Sequence, residues 1–355
     1  MSAPRPRASV SQIPPYVAGK PPIPRQGMTT YKLSSNENPY PPLPGVLEAA
    51  QRAAEQMNRY PDMGNAALYS ALSERLDVPT EDLALATGSV ALIYQLVQAF
   101  CEPGDEVVYA WRSFEAYPIG VTAAAASSVR VPVLADGRHD LDAMAAAVTD
   151  RTRVVLVCTP NNPTGPAVSQ AELDAFLAKI PSEVLVVVDE AYVEFVRMGD
   201  PVHGLATYRS HENVLLTRTF SKAYGLAGFR VGYAVGPTPI AGALRAVSLP
   251  FGVSHVAQAA AVASLEAEPA LLERVDALVG ERDRVTAGLT QAGWDVPEAQ
   301  GNFVWFELGD RTAEFAAAAD AAGIVVRPFA GEGDRVSIGE TEANDRLLRL
   351  AASFR

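Results

Sequence analysis

Cysteine, histidine and positive charge are all scarce in this chain of 355 residues. The two cysteines, Cys101 and Cys158, each lie within an apolar stretch, which predicts buried thiols, a reducing compartment and a cytoplasmic location. The four histidines are far apart and have no ligand spacing, so we predict no metal site. With 29 Lys and Arg against 41 Asp and Glu, the net charge is −12. That balance excludes the broad basic surface with which proteins bind nucleic acids or anionic membranes.

Long apolar runs are also missing. No stretch approaches twenty consecutive apolar residues, so the sequence predicts no membrane span. Residues 1–24 are rich in Pro, Arg and Ser and contain no apolar core of a secretory signal. Apolar residues still make up 48% of the chain, enough for a sizeable core, and the length favours two domains.

The distribution of proline and of apolar runs divides the chain into three parts. We predict an N-terminal arm (1–44) whose prolines exclude a helix or a central strand, a large domain (45–244) and a small domain (245–355). Predicted strands of the large domain are 105–111, 153–158, 184–189 and 213–217. The third is apolar on both faces, which is typical of a buried parallel strand. Ser169 and Glu172 form a capping-box pair that opens a helix to about residue 180.

The C-terminal part has a different pattern. Its predicted elements are a long helix (256–292), a strand (303–308), a helix (310–322), short strands (324–327 and 335–338) and a final helix from Thr341. The fold class is therefore α/β, with a large domain built on a mainly parallel sheet flanked by helices and a smaller α+β domain. Ligands are expected at the carboxyl ends of the parallel strands, between the two domains.

The segment 219–230 (TFSKAYGLAGFR) carries the strongest chemical signal. A lone lysine after a strand is usually solvated, but Lys222 lies between the hydroxyls of Thr219 and Ser221. Two glycines follow, and Arg230 comes eight residues after the lysine. The hydroxyls and the planar guanidinium can converge on one phosphate, and glycines let the backbone approach it.

A carboxylate upstream suggests a cationic ring as ligand. Asp189 ends the apolar run 184–189, where an ionised carboxylate is costly unless it faces a cation. A protonated pyridine supplies that cation, and Asp189 keeps the ring protonated as an electron sink. The alternative is an acid that caps a following helix. Tyr192 and Asn162 could each donate to the ring's phenolate oxygen, although the turn around Asn162 is also ordinary turn chemistry.

These motifs resemble a known family. NNPTG (161–165), DEAY (189–192) and SK followed eight residues later by Arg230 resemble the fold-type I pyridoxal-phosphate aminotransferases. LSSNENP (33–39), NRYPD (58–62) and RVSIGE (335–340) resemble the histidinol-phosphate aminotransferase family within them. WRSFEAY (111–117), with TFSKAYGLAG, is most similar to an actinobacterial branch that acts on aromatic amino acids, phenylalanine in particular. The resemblance covers nearly the whole chain, with the motifs in the family's order.

The resemblance implies pyridoxal 5'-phosphate as cofactor, with Lys222, Asp189 and Tyr192 as catalytic residues. The cofactor-binding residues that it implies are Gly88, Ser89, Val90, Phe114, Asn162, Asp189, Tyr192, Thr219, Ser221, Lys222, Arg230 and Tyr60. Gly88 to Val90 lie between a predicted strand and helix, where free N–H groups suit a phosphate. Phe114 replaces a tyrosine that stacks on the pyridine ring; it can still stack, but it cannot hydrogen-bond.

The resemblance also implies a homodimer with shared active sites. Tyr60 would reach the cofactor phosphate from the neighbouring subunit, and Tyr16 would cover the substrate from there. The substrates would be small molecules, an amino acid and a 2-oxo acid such as 2-oxoglutarate. Asn162, Arg327 and Arg335 would bind them, with Arg335 holding the α-carboxylate.

Two substrates remain open at this point. Histidinol phosphate would use Arg327 together with Arg335 as a phosphate clamp. An aromatic wall of Trp111, Phe114 and Tyr117 favours an aromatic amino acid instead. Decarboxylation on the same scaffold is a weaker third reading. A transcription regulator is rejected, because no basic helix-turn-helix segment precedes the domain.

Overall fold

The computed structural model describes residues 3–354. Within them the strands are β1 Tyr31–Lys32, β2 Leu83–Ala86, β3 Glu106–Trp111, β4 Ser127–Pro132, β5 Thr152–Cys158, β6 Leu185–Asp189, β7 Val214–Thr219, β8 Gly232–Val235, β9 Phe303–Glu307, β10 Ile324–Val325, β11 Arg327–Phe329 and β12 Gly333–Ser337. The α-helices are α1 Val46–Ala54, α2 Ala66–Leu76, α3 Ser89–Phe100, α4 Ala116–Ala123, α5 Leu141–Ala146, α6 Gln170–Leu177, α7 Gly204–Ser210, α8 Thr238–Ala246, α9 His255–Glu266, α10 Glu268–Gln291, α11 Thr312–Ala321 and α12 Thr341–Ser353. In this described part of the chain, no helix is long and apolar enough to cross a membrane.

A seven-stranded sheet forms the larger unit, in the order β2-β8-β7-β6-β5-β3-β4. The strands from β7 to β4 are parallel to their neighbours, whereas β8 runs antiparallel to both β2 and β7. The predicted α/β class and mainly parallel sheet are confirmed, and the four strands predicted there are β3, β5, β6 and β7. All five residues of β6 are buried, because apolar side chains on both of its faces pack under helices.

The predicted helix start at Ser169 is confirmed. Ser169 Oγ accepts from the backbone N–H of Glu172, and the Glu172 carboxylate accepts from the backbone N–H of Ser169. This reciprocal pair satisfies two N–H groups at the start of α6, which ends at Leu177, three residues before the predicted end.

The smaller unit contains an antiparallel sheet in the order β11-β12-β9. The predicted strand 324–327 is wrong as one element, since β10 pairs with β1 and β11 pairs with β12. The predicted single helix 256–292 is also wrong. It breaks at Ala267 into α9 and α10, with Pro269 in the first turn of α10, where its missing N–H costs nothing.

The N-terminal arm contains more regular structure than its prolines predicted. A short 3-10 helix spans Ala8–Gln12, which corrects the prediction that the arm forms no helix. Strand β1 then adds in parallel to β10, at the far end of the sequence. The prediction that no central strand forms there is not affected, because β1 lies in a sheet of only two strands. The boundaries at 44/45 and 244/245 stay predictions.

Gly232 is a glycine that the sheet requires. It opens β8, opposite Ala86 on one side and Thr219 on the other. A Cβ atom on Gly232 would lie 2.6 Å from the backbone N of Ser89 and 3.0 Å from the carbonyl oxygen of Arg218. Both obstacles are backbone, so a side chain there must push the start of α3 away from the sheet.

We predict that Gly232→Ala lowers the midpoint of thermal unfolding, since overpacking of this kind costs about 1–3 kcal/mol. The matched control is Gly280→Ala on the exposed face of α10, where an added Cβ meets nothing within 4 Å. That change should raise the midpoint slightly, because alanine is favoured over glycine in a helix by about 1 kcal/mol. Circular dichroism during heating measures both. Equal midpoints for the two variants would contradict the packing argument.

Candidate active site

A cavity of about 250 Å³ lies at the carboxyl ends of the parallel strands, between the two units. The predicted site residues that line it are Tyr16, Ser89, Val90, Phe114, Asn162, Asp189, Tyr192, Thr219, Ser221, Lys222, Arg230, Arg327 and Arg335. Asp189 is the last residue of β6 and Thr219 the last of β7, so parallel pairing brings them to one edge. The smaller unit contributes Arg327 and Arg335 from the opposite wall.

The Lys222 amine lies in this cavity and is held by the arm. Its Nζ donates to the carbonyl oxygen of Ser35 at 2.9 Å. Burial, followed by the neighbouring charge of Arg335, lowers the pKa of Lys222 to about 7. A large fraction of this amine is therefore neutral near pH 7, which is the form that acts as a nucleophile or a base.

Asp189 is a buried carboxylate in which one oxygen accepts a hydrogen bond and the other has no partner among the described residues. Its Oδ2 accepts from the Tyr117 hydroxyl at 2.7 Å. Its Oδ1 is buried and has no hydrogen-bond partner among residues 3–354. Burial raises the pKa of Asp189, opposed by the hydrogen bond from Tyr117. A cationic N–H donor facing Oδ1 would remove the unfavourable desolvation of the charged form.

An anion-binding cradle lies beside Lys222. Gly88 precedes α3, whose first residues Ser89 and Val90 line the cavity at the helix N-terminus. Arg230 Nη1 lies 3.5 Å from Ser221 Oγ. A Cβ on Gly88 would approach Arg230 Nη2 to 2.6 Å, so glycine leaves the room that the guanidinium occupies. These donors suit a phosphate group.

Arg335 lines the cavity, and its guanidinium donates to neutral acceptors. Nη1 donates to Asn162 Oδ1 at 2.6 Å, and Nη2 donates to the carbonyl oxygen of Ser34 at 2.8 Å. Its Nε is buried and has no partner in the described part of the chain. Burial lowers the pKa of Arg335, and the nearby Arg327 lowers it further. The guanidinium thus keeps an uncompensated charge for an anionic ligand.

Arg327 differs because its charge is already balanced. Its Nη2 forms an ion pair with Glu115 Oε2, and its Nη1 donates to the carbonyl oxygen of Pro328 at 3.1 Å. Both side chains of the ion pair are largely shielded, with exposed fractions of 6% for Arg327 and 23% for Glu115.

The hydroxyl of Tyr192 is positioned by Asn36, which in turn contacts Ser337. Both residues lie within motifs of the sequence, but the motifs did not indicate this role. The Tyr192 hydroxyl accepts from Asn36 Nδ2 at 2.9 Å, and Asn36 Oδ1 accepts from Ser337 Oγ at 2.9 Å. Burial raises the pKa of Tyr192, so the phenol stays protonated and able to donate. Ser34, Ser35, Asn36, Glu115 and Phe329 are among the site residues that sequence reasoning missed. For the first three, the signal was the polar run LSSNENP.

Two predicted contributions differ from expectation. Among Trp111, Phe114 and Tyr117, only Phe114 lines the cavity; Tyr117 is buried behind Asp189, and Trp111 lies between Arg112 and Arg130. The predicted aromatic wall is therefore wrong for two of its three members. Strand alternation and the turn into α4 point their rings elsewhere.

The two tyrosines expected from a partner subunit have different positions. Tyr16 lines the cavity of its own chain, so the structure differs from the expectation that a neighbour supplies it. Tyr60 is 82% exposed, packs its ring on Phe251 at 4.7 Å between centroids, and does not line the cavity.

The residues present fit the cofactor that the resemblance implies. The open oxygen of Asp189 suits a pyridinium N–H, and the neutral Lys222 amine suits an aldehyde carbon. The cradle of Ser89, Val90 and Arg230 suits a phosphate.

Comparisons with known proteins agree with this geometry. The sequence profile described as "Aminotransferase class I and II" matches residues 29–350. The chain is 58% identical over 354 residues to the aromatic amino acid aminotransferase of Streptomyces avermitilis, covering 100% of this chain and 98% of that protein. It is 54% identical to the aromatic amino acid aminotransferase of Thermobifida fusca, covering 98% and 96%.

Solved structures show the same fold. Histidinol-phosphate aminotransferase from Sinorhizobium meliloti, in complex with pyridoxal-5'-phosphate, superposes with a TM-score of 0.84 at 29% identity over 93% of each chain. A mutant of Thermus thermophilus aspartate aminotransferase gives a TM-score of 0.78 at 27% identity over 92% of each chain. With the profile spanning most of the sequence and relatives matched over their full length, this chain belongs to the class I and II aminotransferase family.

Proposed function

We propose that this protein is a pyridoxal 5'-phosphate-dependent aminotransferase that moves the amino group of phenylalanine, or a similar aromatic amino acid, to a 2-oxo acid such as 2-oxoglutarate. One observation carries the proposal. A neutral lysine amine, an open carboxylate oxygen and an uncompensated arginine, from Lys222, Asp189 and Arg335, face one cavity.

When bound, the cofactor supplies an aldehyde that takes up the amino group and a protonated ring that accepts electrons. Asp189 would hold the proton on the ring nitrogen, while Tyr192 and Asn162 would bind the phenolate oxygen. Arg230, Ser221, Thr219 and the N-terminus of α3 would hold the phosphate, and Phe114 would pack on the ring. Lys222 Nζ would take the proton from the substrate's Cα and deliver it to the cofactor carbon that receives the amino group, for which a pKa of about 7 is suitable. Arg335 would orient the substrate carboxylate.

The aromatic substrate is supported by two features. The relatives that match the full chain at 50% identity or more carry the name aromatic amino acid aminotransferase. Phe114, Phe329 and Tyr16 give the cavity an aromatic lining against which a ring can pack. Histidinol phosphate is the competing substrate, since Arg327 and Arg335 both line the cavity. It is disfavoured because Arg327 is already paired with Glu115.

Assembly and location belong to the same proposal. Exposed apolar side chains, among them Met57, Tyr60, Met63 and Leu249, support a homodimer interface. The thiols Cys101 and Cys158 form no disulfide, which supports a reducing cytoplasm.

The pKa of Lys222 predicts how the apoprotein captures its cofactor. Only the neutral amine attacks the aldehyde, so the rate of covalent capture should rise as the pH passes about 7 and then level off. With a lysine of ordinary pKa, the rate of covalent capture would continue to rise far above pH 7. Stopped-flow absorbance measures the rate. Pyridoxal, which lacks the titrating phosphate, should give the same midpoint, and Lys222→Ala should show no covalent capture. A rate that keeps rising well above pH 7 would refute the depressed pKa.

Arg335 should matter for every carboxylate substrate. We expect Arg335→Ala to lower kcat/KM for phenylalanine and for 2-oxoglutarate together, by about thirty-fold or more, because a buried charged pair lost by truncation costs about 2–5 kcal/mol. Arg335→Lys keeps the charge but not the planar guanidinium, so its kcat/KM should lie between that of the wild type and that of Arg335→Ala. Steady-state kinetics with each substrate test this. The wild type should use phenylalanine better than histidinol phosphate, and the opposite preference would overturn the aromatic assignment.

Subunit complementation tests the shared site. If Tyr60 reaches into a neighbour's cavity, then Lys222→Ala and Tyr60→Phe subunits should each be impaired alone but regain activity when mixed. One site of each heterodimer then carries neither lesion. Activity of the mixture, compared with each parent at equal total concentration, is the measurement. No gain on mixing, with sedimentation showing a monomer, would contradict the dimer.

A further inference from the structure

Two arginines of the substrate wall are direct neighbours across the β11–β12 hairpin. Arg327 and Arg335 are cross-strand partners in the antiparallel register, so their side chains emerge on the same face. Both are buried and both line the cavity. Like charges placed opposite each other repel, and the nearby Arg327 is one cause of the lowered pKa of Arg335.

The larger unit neutralises one of them. Glu115 lies immediately before α4, lines the cavity and forms the ion pair with Arg327 described above. In the described part of the chain, Arg335 forms no ion pair; its donors contact an amide oxygen and a carbonyl oxygen. The anchor made by the two arginines and Glu115 therefore has one net positive charge instead of two.

One positive charge matches a carboxylate monoanion. A phosphate monoester carries nearly two negative charges at neutral pH and gains most from two free arginines. At this anchor it would have to compete with the Glu115 carboxylate for Arg327 and would lie close to that like charge, which is costly in a partly desolvated cleft.

We propose that Glu115 is a specificity-determining residue, which selects carboxylate substrates against phosphate monoesters by neutralising Arg327. The inference rests on the proposed function, because it takes the Arg335 anchor as the site of the substrate carboxylate. Its physical basis is repulsion of the wrong ligand by a built-in carboxylate, added to attraction of the right one.

The test is Glu115→Gln in the holoenzyme, which removes the charge and keeps the size and an acceptor oxygen for Arg327. The measured quantity is the ratio of kcat/KM for histidinol phosphate to that for phenylalanine. We expect this ratio to rise by roughly tenfold or more, since one charge is lost from a shielded anchor. Inhibition of phenylalanine turnover by inorganic phosphate should strengthen in the same variant.

The chain offers a matched control. Glu332 lies on the same hairpin as Arg327 and forms an ion pair with Arg112 of the larger unit. Unlike Glu115, Glu332 does not line the cavity. Glu332→Gln should therefore leave the substrate ratio at the wild-type value. An equal rise in this control would show that loosening the hairpin, and not the charge at the anchor, changes selectivity, and would overturn the proposal.

Two further variants keep the test decisive if Glu115→Gln folds poorly. Glu115→Asp retains the charge and should keep the ratio near that of the wild type; a rise equal to that of the glutamine variant refutes the charge argument. Arg327→Gln leaves Glu115 unneutralised and should lower the ratio below wild type. A wild type that uses phenylalanine, with an unchanged ratio in Glu115→Gln, defeats this inference alone. A wild type inactive with phenylalanine defeats the proposed function.

Discussion

A carboxylate at the end of a fully buried strand is the constraint on which this site depends. An ionised Asp189 is costly there without partners; in the described part of the chain the Tyr117 hydroxyl donates to its Oδ2, and its Oδ1 has no hydrogen-bond partner. A ligand that donates a hydrogen bond to the remaining oxygen would stabilise the charged carboxylate. The same cavity is lined by Lys222, by Ser89, Val90 and Arg230, and by Arg335.

The charge at this cavity differs from the charge of the chain as a whole. The net charge is −12, yet the cationic side chains Lys222, Arg230, Arg327 and Arg335 face one cavity. Burial lowers the pKa of Lys222 to about 7, and Arg327 is balanced by Glu115. In the described part of the chain, the guanidinium groups of Arg230 and Arg335 have no carboxylate partner. Local geometry, not overall charge, sets what this cavity attracts.

The sequence predicted those site residues whose position depends only on where a strand ends along the chain. Asp189 ends a strand, and Lys222 and Asn162 follow strands; parallel pairing alone brings these strand ends together. Contacts between segments far apart in sequence were out of its reach: the Glu115 carboxylate on Arg327, and the arm's carbonyl oxygens at Ser34 and Ser35 on Arg335 and Lys222. The same limit explains the elements that were wrong. Helical periodicity runs on through Ala267, and only tertiary packing decides where the chain turns.

The pairing of β1 with β10 has a consequence for how the polypeptide is made. The segment around Ser34 to Asn36 contacts Lys222, Arg335 and Ser337, so the beginning of the chain finishes a site whose other wall is encoded near the end. During synthesis the arm emerges well before β10, the strand with which β1 pairs. The larger unit has all its strands by Val235 and can fold earlier. The arm therefore stays without its partner strand until β10 has been synthesised, and its prolines and short strand give it little tendency to pair wrongly during that interval.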